Sequence, residues 1–179
     1  MKGFHCHIGS QIFEKQSFVL AVEKNVKFMS DIKNSLGFVT ESLNMGGGFG
    51  IWYTQEDAKL TVKEYKEYLL ALIQTLKKEC GTYGLQLPFI YIEPGRSIVG
   101  EAGITLYTVG AVKEIPGIKK YVAIDGGMFE SPRYALYHSK YTALLANRAN
   151  DTPTEMISIA GKCCESGDII AVLSTGAYH

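Results

Sequence analysis

Apolar and polar positions follow two different patterns along the chain, and one pattern gives way to the other a little past the middle of the chain. Before the change, short apolar runs at residues 4–8, 42–45 and 88–93 alternate with longer segments whose apolar residues recur every three or four positions. The short runs predict buried strands, and the longer segments predict helices over residues 17–36 and 61–80. This strand–helix alternation is typical of a parallel sheet covered by helices.

Each predicted helix carries an apolar stripe that suits packing on a sheet. The first stripe contains Phe18, Val22, Val26, Met29 and Ile32, and the second contains Val62, Tyr65, Leu69, Leu72, Ile73 and Leu76. The second helix also has a start signal, because Glu64 follows Thr61 by three residues. That spacing predicts a capping box, in which each side chain bonds the backbone N–H of the other residue.

Beyond residue 100 the pattern predicts a mostly β region with irregular or short helical links. Its predicted strands are residues 103–115, 120–125, 155–160 and 168–173. We therefore expect an α/β domain at residues 1–100 and a β domain at residues 101–179. A closed eight-stranded barrel needs about 250 residues. The first domain is thus either a small open sheet or a barrel whose earlier strands precede Met1.

Composition and charge exclude several classes of protein. Hydrophobic residues make up 46% of the chain, which excludes a disordered protein, and 18 basic residues balance 18 acidic ones. Neither a nucleic-acid footprint nor a basic membrane surface is indicated. No apolar run approaches the roughly 20 residues of a membrane span, and the start lacks a signal-peptide core. We expect a cytoplasmic protein.

The cysteines agree with that compartment. They are Cys6, Cys80, Cys163 and Cys164, and their spacing is neither a zinc pattern nor a disulfide framework. Free thiols are typical of a reducing compartment.

Each of the first three predicted strands ends in a glycine turn. The turns are Gly9-Ser10, Gly46 to Gly48, and Pro94-Gly95-Arg96. Ligand sites of parallel α/β folds lie at the carboxyl ends of the strands, and glycine N–H groups can cradle an anion there. Three such turns predict a phosphate-bearing ligand, although any one of them alone would be interpreted as a tight turn.

Several side chains near these turns have more than one interpretation. His5 and His7 lie two apart on a predicted strand and so share a face, where they could bind metal or lie satisfied in the core. His7 could also stack on a planar cofactor. Glu93 ends an apolar strand beside Arg96, and a buried carboxylate there must be paired or serve a charged ligand.

Two loops of the β region concentrate polar chemistry. The turn at residues 125–128 leads to Arg133 and Tyr137, which alone would be an ordinary surface arrangement. The loop at residues 161–168 contains Cys164 and Glu165 among glycines. It could be an active-site loop, although most cysteines are small buried hydrophobic residues.

Taken in order, these segments resemble one family. HCHIGSQ, NMGGGFG, EPGRSIVGEAG, DGGM with SPRYALY, GKCCESGD and STGAY are similar to the diaminopimelate decarboxylase family of pyridoxal-phosphate enzymes, which has the alanine-racemase fold. Ornithine and arginine decarboxylases share the histidine, glycine and EPGR segments but lack the full CCESGD and arginine combination. The resemblance implies the last strands of a pyridoxal-phosphate-binding (β/α)8 barrel, followed by an incomplete β domain.

The resemblance also implies an activity and a set of site residues. The activity is decarboxylation of meso-2,6-diaminopimelate to L-lysine and carbon dioxide in lysine biosynthesis, in a homodimer with shared active sites. Catalytic contacts would come from His7, Glu93 and Cys164. The cofactor would meet His7, Ser10, Gly46, Gly47, Gly48, Glu93, Gly95, Arg96 and Tyr178, and the substrate would meet Arg96, Arg133, Tyr137 and Glu165.

The chain departs from the family pattern in two places. No segment matches the strand that carries the cofactor-binding lysine, and Lys2 is not a credible substitute. Family members also have roughly twenty more residues between CESGD and STGAY, where Ile170 runs directly into Ala171 here. The alternatives are therefore a decarboxylase portion, an ornithine- or arginine-type decarboxylase, or a non-catalytic binding module. A metal-dependent hydrolase is a distant further interpretation.

Overall fold

The structure is a computed structural model that describes residues 1–127, 130, 132–161 and 169–177. The chain divides into two compact units. The first contains Met1–Trp52 and Ala58–Ile98, and the second contains Tyr53–Asp57 and Val99–His179. No helix in the described part of the chain is both long and apolar enough to cross a membrane.

The first unit is a parallel three-stranded sheet with two long helices. Strands β1 (Gly3–His5), β2 (Ser42–Asn44) and β3 (Phe89–Tyr91) follow one another in space as in sequence. Helices α1 (Lys15–Leu36) and α2 (Val62–Thr82) connect them. Among the described residues the sheet is open, with β1 and β3 at its edges. The predicted strand–helix order is confirmed.

Side-chain alternation gives this sheet two different faces. Phe4, Leu43 and Ile90 lie opposite one another across the three strands and pack in the core with the helices. The next residue of each strand, His5, Asn44 and Tyr91, is likewise in register and faces the other way. One face of the sheet therefore builds the core, and the other presents polar and aromatic side chains.

The helices begin and end largely as predicted. The capping box of α2 is present, since the Thr61 N–H donates to Glu64 Oε2 (2.7 Å) and the Glu64 N–H donates to Thr61 Oγ1 (3.3 Å). The predicted stripe of α2 is partly wrong, because Val62 is 86% exposed. Leu72 and Leu76 of the predicted stripe are buried, and Tyr68 and Cys80, which were not in it, complete a buried row at four-residue spacing.

Two of the predicted strands are shorter and less buried than expected. β1 ends at His5, so His5 and His7 do not share a strand face as predicted. The chain leaves the strand geometry towards Gly9, which has a φ of 139°. β3 is not a buried strand, because it lies at an edge and leaves Phe89 77% exposed and Tyr91 55% exposed.

The second unit is a five-stranded sheet. Its strands are β4 (Ile104–Ile115), β5 (Lys119–Ile124), β6 (Ala143–Leu145), β7 (Ser158–Ala160) and β8 (Ile169–Leu173), in the order β6-β8-β4-β5-β7. All neighbours are antiparallel except β5 and β7. The sequence missed β6, whose three residues are too short for a periodic signal. Tyr107, Val109, Val122 and Ile124 form the core.

Short helices occupy the links, as predicted. α3 (Arg96–Val99) and α4 (Arg133–Tyr137) are single turns, and 3-10 turns cover Gly100–Ala102 and Ala146–Arg148.

Candidate functional site

Three loops meet at the carboxyl ends of β1, β2 and β3. Backbone hydrogen bonds continue the ladder past the strands, from the Cys6 N–H to Asn44 O (2.8 Å) and from the Met45 N–H to Tyr91 O (2.9 Å). A further bond joins the Glu93 N–H to Gly46 O at 2.8 Å. The predicted convergence of the three glycine turns is therefore present in the first unit.

The glycines of the middle loop are needed for this close approach. A Cβ on Gly47 would lie 2.2 Å from Glu93 O, and one on Gly48 would lie 2.1 Å from Gly9 O. Gly48 also has a φ of 94°, in a region that favours glycine. Loop packing alone thus accounts for the requirement for glycine at these two positions.

Two amides of the glycine loop already have acceptors within the protein. The Gly46 N–H donates to Asn44 Oδ1 at 2.9 Å, and the Gly47 N–H donates to His7 Nδ1 at 3.3 Å. An imidazole nitrogen that accepts a hydrogen bond carries no proton, so the proton of a neutral His7 ring lies on Nε2. The loop therefore fixes both the place and the tautomer of an exposed imidazole ring.

Glu93 lies at the same edge with its side chain 57% exposed. The expectation of a buried carboxylate is wrong, because β3 is an edge strand and its outer face is open. Oε1 accepts a hydrogen bond from Asn44 Nδ2 at 2.7 Å, and Oε2 lies 3.4 Å from His5 Nε2. The carboxylate is thus oriented by an amide and an imidazole while one side stays open.

Gln11 fastens the first loop to the middle loop. Its side-chain amide donates to Ile51 O and accepts from the Ile51 N–H, both at 3.0 Å. Gln11 itself has a φ of 56°, which is uncommon for a residue other than glycine and is held here by that pair of bonds. The exposed Ser10 precedes it directly, so the position of its hydroxyl depends on this fastening.

Two other charged residues of the first unit bear on the predicted site. Arg96 begins α3 after Gly95 and is only 6% exposed. Lys2 lies at the amino ends of the strands, where its ammonium group bonds Glu41 at 2.7 Å. Lys2 therefore lies away from the edge where the three glycine turns meet, and it does not take the place of the cofactor-binding lysine of the family. Among the residues described, no three His, Cys, Asp or Glu side chains cluster as a metal site would require.

In the second unit, α4 brings Arg133 and Tyr137 together. The guanidinium carbon of Arg133 lies 5.3 Å from the centre of the Tyr137 ring. Within the described part of the chain, Arg133 Nε is buried without a hydrogen-bond acceptor. Because buried donors are nearly always paired in native proteins, this nitrogen indicates an acceptor supplied from outside these residues.

Two other motifs of this unit are held by hydrogen bonds to residues in β4 or just before it. Asp125 Oδ1 accepts from the Thr108 N–H at 2.8 Å, which holds the turn before α4. The Thr175 N–H donates to Gly103 O at 2.9 Å, and the Gly176 N–H donates to Gly100 O at 2.9 Å. Residues 175–176 and residues 100–103 therefore lie side by side.

Three predicted site residues lie outside the described residues: Cys164, Glu165 and Tyr178. Arg96 and Arg133 belong to different units. Sequence reasoning missed His5 as a partner of Glu93, and it missed Asn44 and Gln11 altogether. The available signal was that each is polar and lies at, or just beyond, the carboxyl end of a strand.

Comparisons with known proteins agree with this arrangement. Residues 1–100 match the family described as pyridoxal-dependent decarboxylase, pyridoxal binding domain. A diaminopimelate decarboxylase from Bacillus subtilis (strain 168) is 50% identical over 191 aligned residues, which cover 98% of this chain and 43% of the relative. That alignment is longer than the 179 residues here, so the relative has residues without a counterpart in this chain.

Solved structures give the same result. The crystal structure of diaminopimelate decarboxylase from M. jannaschii superposes with a TM-score of 0.80 at 33% identity, over 97% of this chain and 42% of that one. Its co-complex with L-lysine superposes with a TM-score of 0.79 at 33% identity, over 96% of this chain and 41% of that one. The chain spans less than half the length of these relatives.

Proposed function

The chain belongs to the pyridoxal-dependent decarboxylases, and from this premise we propose that it carries part of an active site that converts meso-2,6-diaminopimelate to L-lysine and carbon dioxide. The observation that carries the proposal is the convergence of His7, the Gly46–Gly48 loop and Glu93 at one sheet edge. We assign residues 1–100 to the end of a cofactor-binding barrel and residues 101–179 to a β domain. The family match over residues 1–100 supports this division.

The residues at this edge fit pyridoxal 5′-phosphate. An exposed imidazole ring, an exposed and oriented carboxylate and a hydroxyl group suit a flat heterocycle with a phosphate. When bound, the cofactor's protonated pyridine ring withdraws electrons from the substrate carbon that loses carbon dioxide. Glu93 would accept a hydrogen bond from the ring nitrogen and keep it protonated, and His7 would stack on the ring.

The phosphate contacts follow from which amides are available. The Gly46 and Gly47 amides already donate to Asn44 and His7, so these two residues set the shape of the loop. We therefore assign the nearest phosphate contacts to Gly48 and Ser10. Further contacts come from Gly95, Arg96 and Tyr178, which we assign by similarity to the family.

The substrate assignment depends on Arg133. Diaminopimelate has a second carboxylate at the end that does not react, and guanidinium groups bind carboxylates well. The buried and unpaired Nε of Arg133 supports such a role, with Tyr137 beside it. By similarity to the family, Arg96 is assigned as a second guanidinium for the substrate. Ornithine lacks that carboxylate, so an ornithine-type activity has no use for this nitrogen.

The remaining roles rest on similarity to the family. Glu165 binds the distal amino group, and Cys164 returns a proton to the carbon that has lost carbon dioxide. We propose that these two residues act across the interface of a homodimer. The free thiols of Cys6 and Cys80 suit the cytoplasm as the compartment.

Two chimeras of the Bacillus subtilis relative test the proposal. One replaces its matching segment with residues 1–100 of this chain, and the other with residues 1–179. Release of carbon dioxide is measured with meso-diaminopimelate, lysine and ornithine. We expect both chimeras to act on diaminopimelate only. A folded chimera with residues 1–100 that loses cofactor binding would contradict the cofactor assignment, and one with residues 1–179 that prefers ornithine would contradict the substrate assignment.

A further inference from the structure

We propose that Asn44 is a positioning residue that couples the glycine loop to the carboxylate of Glu93, with His5 as its counterpart on the second carboxylate oxygen. The inference rests on the proposed function in one respect only, namely that Glu93 serves the cofactor. The coupling itself is a property of the side-chain network. No residue in it needs a ligand to be in place.

Both ends of the Asn44 amide are in use. Its Oδ1 accepts the Gly46 N–H at 2.9 Å, and its Nδ2 donates to Glu93 Oε1 at 2.7 Å. This orientation is determined by chemistry, because the backbone N–H of Gly46 can only donate and an ionised carboxylate can only accept. A flipped amide would lose both bonds. One side chain therefore joins the two loops.

The backbone of Asn44 is itself fixed. It is the last residue of β2, the central strand, and lies in register with His5 on one side and Tyr91 on the other. Asn44 O also accepts the Cys6 N–H at 2.8 Å. A side chain anchored on the central strand can hold a loop residue and an edge-strand residue in a constant relation.

His5 completes the arrangement. Its Nε2 lies 3.4 Å from Glu93 Oε2, so each carboxylate oxygen has one polar nitrogen beside it. An ionised carboxylate offers about four lone-pair sites, and the open side of Glu93 keeps the remaining ones for a ligand. With Oε1 bonded to the Asn44 amide and the His5 ring beside Oε2, Glu93 presents one preferred orientation to the ring nitrogen. This preorganisation is the role we assign to the pair Asn44 and His5.

A simpler role for Asn44 is capping of the glycine turn. Asparagine side chains often bond a backbone N–H two residues ahead, and that bond would need Oδ1 alone. The Nδ2 bond to Glu93 separates the two roles. A turn-capping asparagine would leave residue 93 unaffected when it is removed, whereas a coupling asparagine would not.

The experiment uses the intact 179-residue chain with ¹⁵N labelling. The variants are Asn44→Ala, Asn44→Asp and the double variant Asn44→Asp with Glu93→Gln. Asn25→Ala is the matched control, since the Asn25 amide bonds Ala21 O within α1. The readouts are hydrogen exchange of the Gly46 N–H, the amide signal of residue 93, and affinity for pyridoxine 5′-phosphate, which cannot react with lysines.

We expect Asn44→Ala to speed exchange at Gly46 by about ten-fold, as for loss of one hydrogen bond, and to shift the signal of residue 93. Asn44→Asp should keep the bond to Gly46 but set two carboxylates against each other. The double variant exchanges donor and acceptor, so it should return the signal of residue 93 towards its original position. Pyridoxine 5′-phosphate affinity should stay modestly below that of the unaltered chain, since the side-chain amide that Glu93→Gln introduces carries no charge.

If Asn44→Ala does not fold, a second measurement still tests the coupling. Glu93→Gln alters an exposed side chain, and it should shift the side-chain NH₂ signal of Asn44 but not that of Asn25. Unchanged Asn44 signals, or a residue 93 signal indifferent to Asn44→Ala, would overturn the coupling. If the coupling is present but the unaltered chain does not bind pyridoxine 5′-phosphate, the cofactor assignment fails and the coupling stands.

Discussion

Glu93 is an exposed carboxylate whose orientation is set by two neighbouring side chains. The Asn44 amide donates to one oxygen and the His5 ring lies beside the other, so the side chain has lost part of its rotational freedom before any ligand arrives. A ligand that needs a charged acceptor in one direction then has less conformational entropy to remove. The role of Glu93 in the proposed chemistry is therefore testable separately from its role in binding.

We expect Glu93→Gln to lower decarboxylation far more than it lowers cofactor affinity. A neutral amide no longer favours the protonated ring nitrogen, so electron withdrawal weakens while the phosphate and stacking contacts remain. The measurement is kcat beside the cofactor Kd in the chimera that carries residues 1–179. Glu41→Gln, at the amino ends of the strands, is the control. Parallel losses of turnover and affinity would argue against this role for Glu93.

Arg133 is predicted to discriminate between substrates. Arg133→Ala should reduce the transition-state stabilisation of diaminopimelate in the same chimera, calculated from the ratio of kcat/KM values, by about 2–5 kcal/mol. The reason is that a desolvated carboxylate would lose its charged partner. A lysine-like substrate without that carboxylate should be little affected. Arg148→Ala is the control, since Arg148 bonds Asp151 away from α4. Equal losses on both substrates would assign Arg133 to the fold.

Sequence could identify the residues of the site more readily than their partners. The glycine turns were predicted from their place after apolar runs and His7 from the resemblance to the family, and the structure brings them together. Asn44 and Gln11 were missed, because a hydrogen bond between loops depends on three-dimensional neighbours that no local pattern encodes. The burial of Glu93 was wrong for a related reason, since an apolar run does not reveal whether its strand lies at an edge.

At the scale of elements, the stability of α2 depends on its N-terminal capping box, which the sequence predicted. Thr61 and Glu64 satisfy two backbone N–H groups of the first turn. Thr61→Ala should lower the free energy of unfolding by about 1 kcal/mol, which is typical for loss of an N-cap side chain. Urea denaturation of the intact chain measures this change. Thr82→Ala, at the other end of the same helix, should have a smaller effect.

The contribution of Glu64 should depend on pH. The pKa of Glu64 lies below its ordinary value of 4.5. The larger cause is the hydrogen bond from the backbone N–H of Thr61, and the smaller cause is the hydrogen bond from the Thr61 side chain. A lowered pKa in the folded state means that the carboxylate stabilises α2 above pH 4.5 and that this contribution is lost as the pH falls through the folded-state pKa. Protonated Glu64 no longer offers the charged acceptor.

We therefore expect Glu64→Ala to destabilise the chain at about pH 7 and the difference from the unaltered chain to shrink below pH 4.5. Thermal unfolding across the range from about pH 3 to about pH 7 measures it. Glu67→Ala, beyond the first turn, is the control. A difference that stays constant across the acidic part of that range would contradict the account of the capping box.

Long elements were predicted more accurately than short ones. α1, α2 and β4 have enough residues for a periodic signal, and their bounds agree with the prediction within a few residues. β6 has three residues and was missed. β1 and β3 were predicted too long, because the apolar residues beyond their ends continue into loops that pair only partly with neighbouring strands.

At the scale of the whole molecule, the change of pattern near residue 100 predicted the order of an α/β region and a β region. Whether the first region is an open sheet or part of a barrel could not be decided from periodicity, since each strand–helix unit looks the same in either fold. In the described residues the sheet is open, and the relatives are more than twice as long.

A consequence for the whole chain is that pyridoxal phosphate should not attach covalently at one defined lysine. Lys2, the lysine nearest β1 in sequence, is bonded to Glu41 at the amino ends of the strands. The chain is mixed with pyridoxal phosphate, reduced with borohydride and mapped by mass spectrometry. We expect scattered labelling of surface lysines below one per chain. Stoichiometric labelling of a single lysine would show that the chain holds its own attachment site.

The most direct test of the central claim is a map of non-covalent cofactor binding on the intact chain. Pyridoxine 5′-phosphate is titrated into the ¹⁵N-labelled protein, and each backbone amide is followed. We expect shifts to concentrate at Ser10, Gly46 to Gly48, Glu93, Gly95 and Arg96, and Glu93→Gln to weaken them. Shifts centred elsewhere, or none at all with saturating ligand, would contradict the claim that these three turns form a cofactor site.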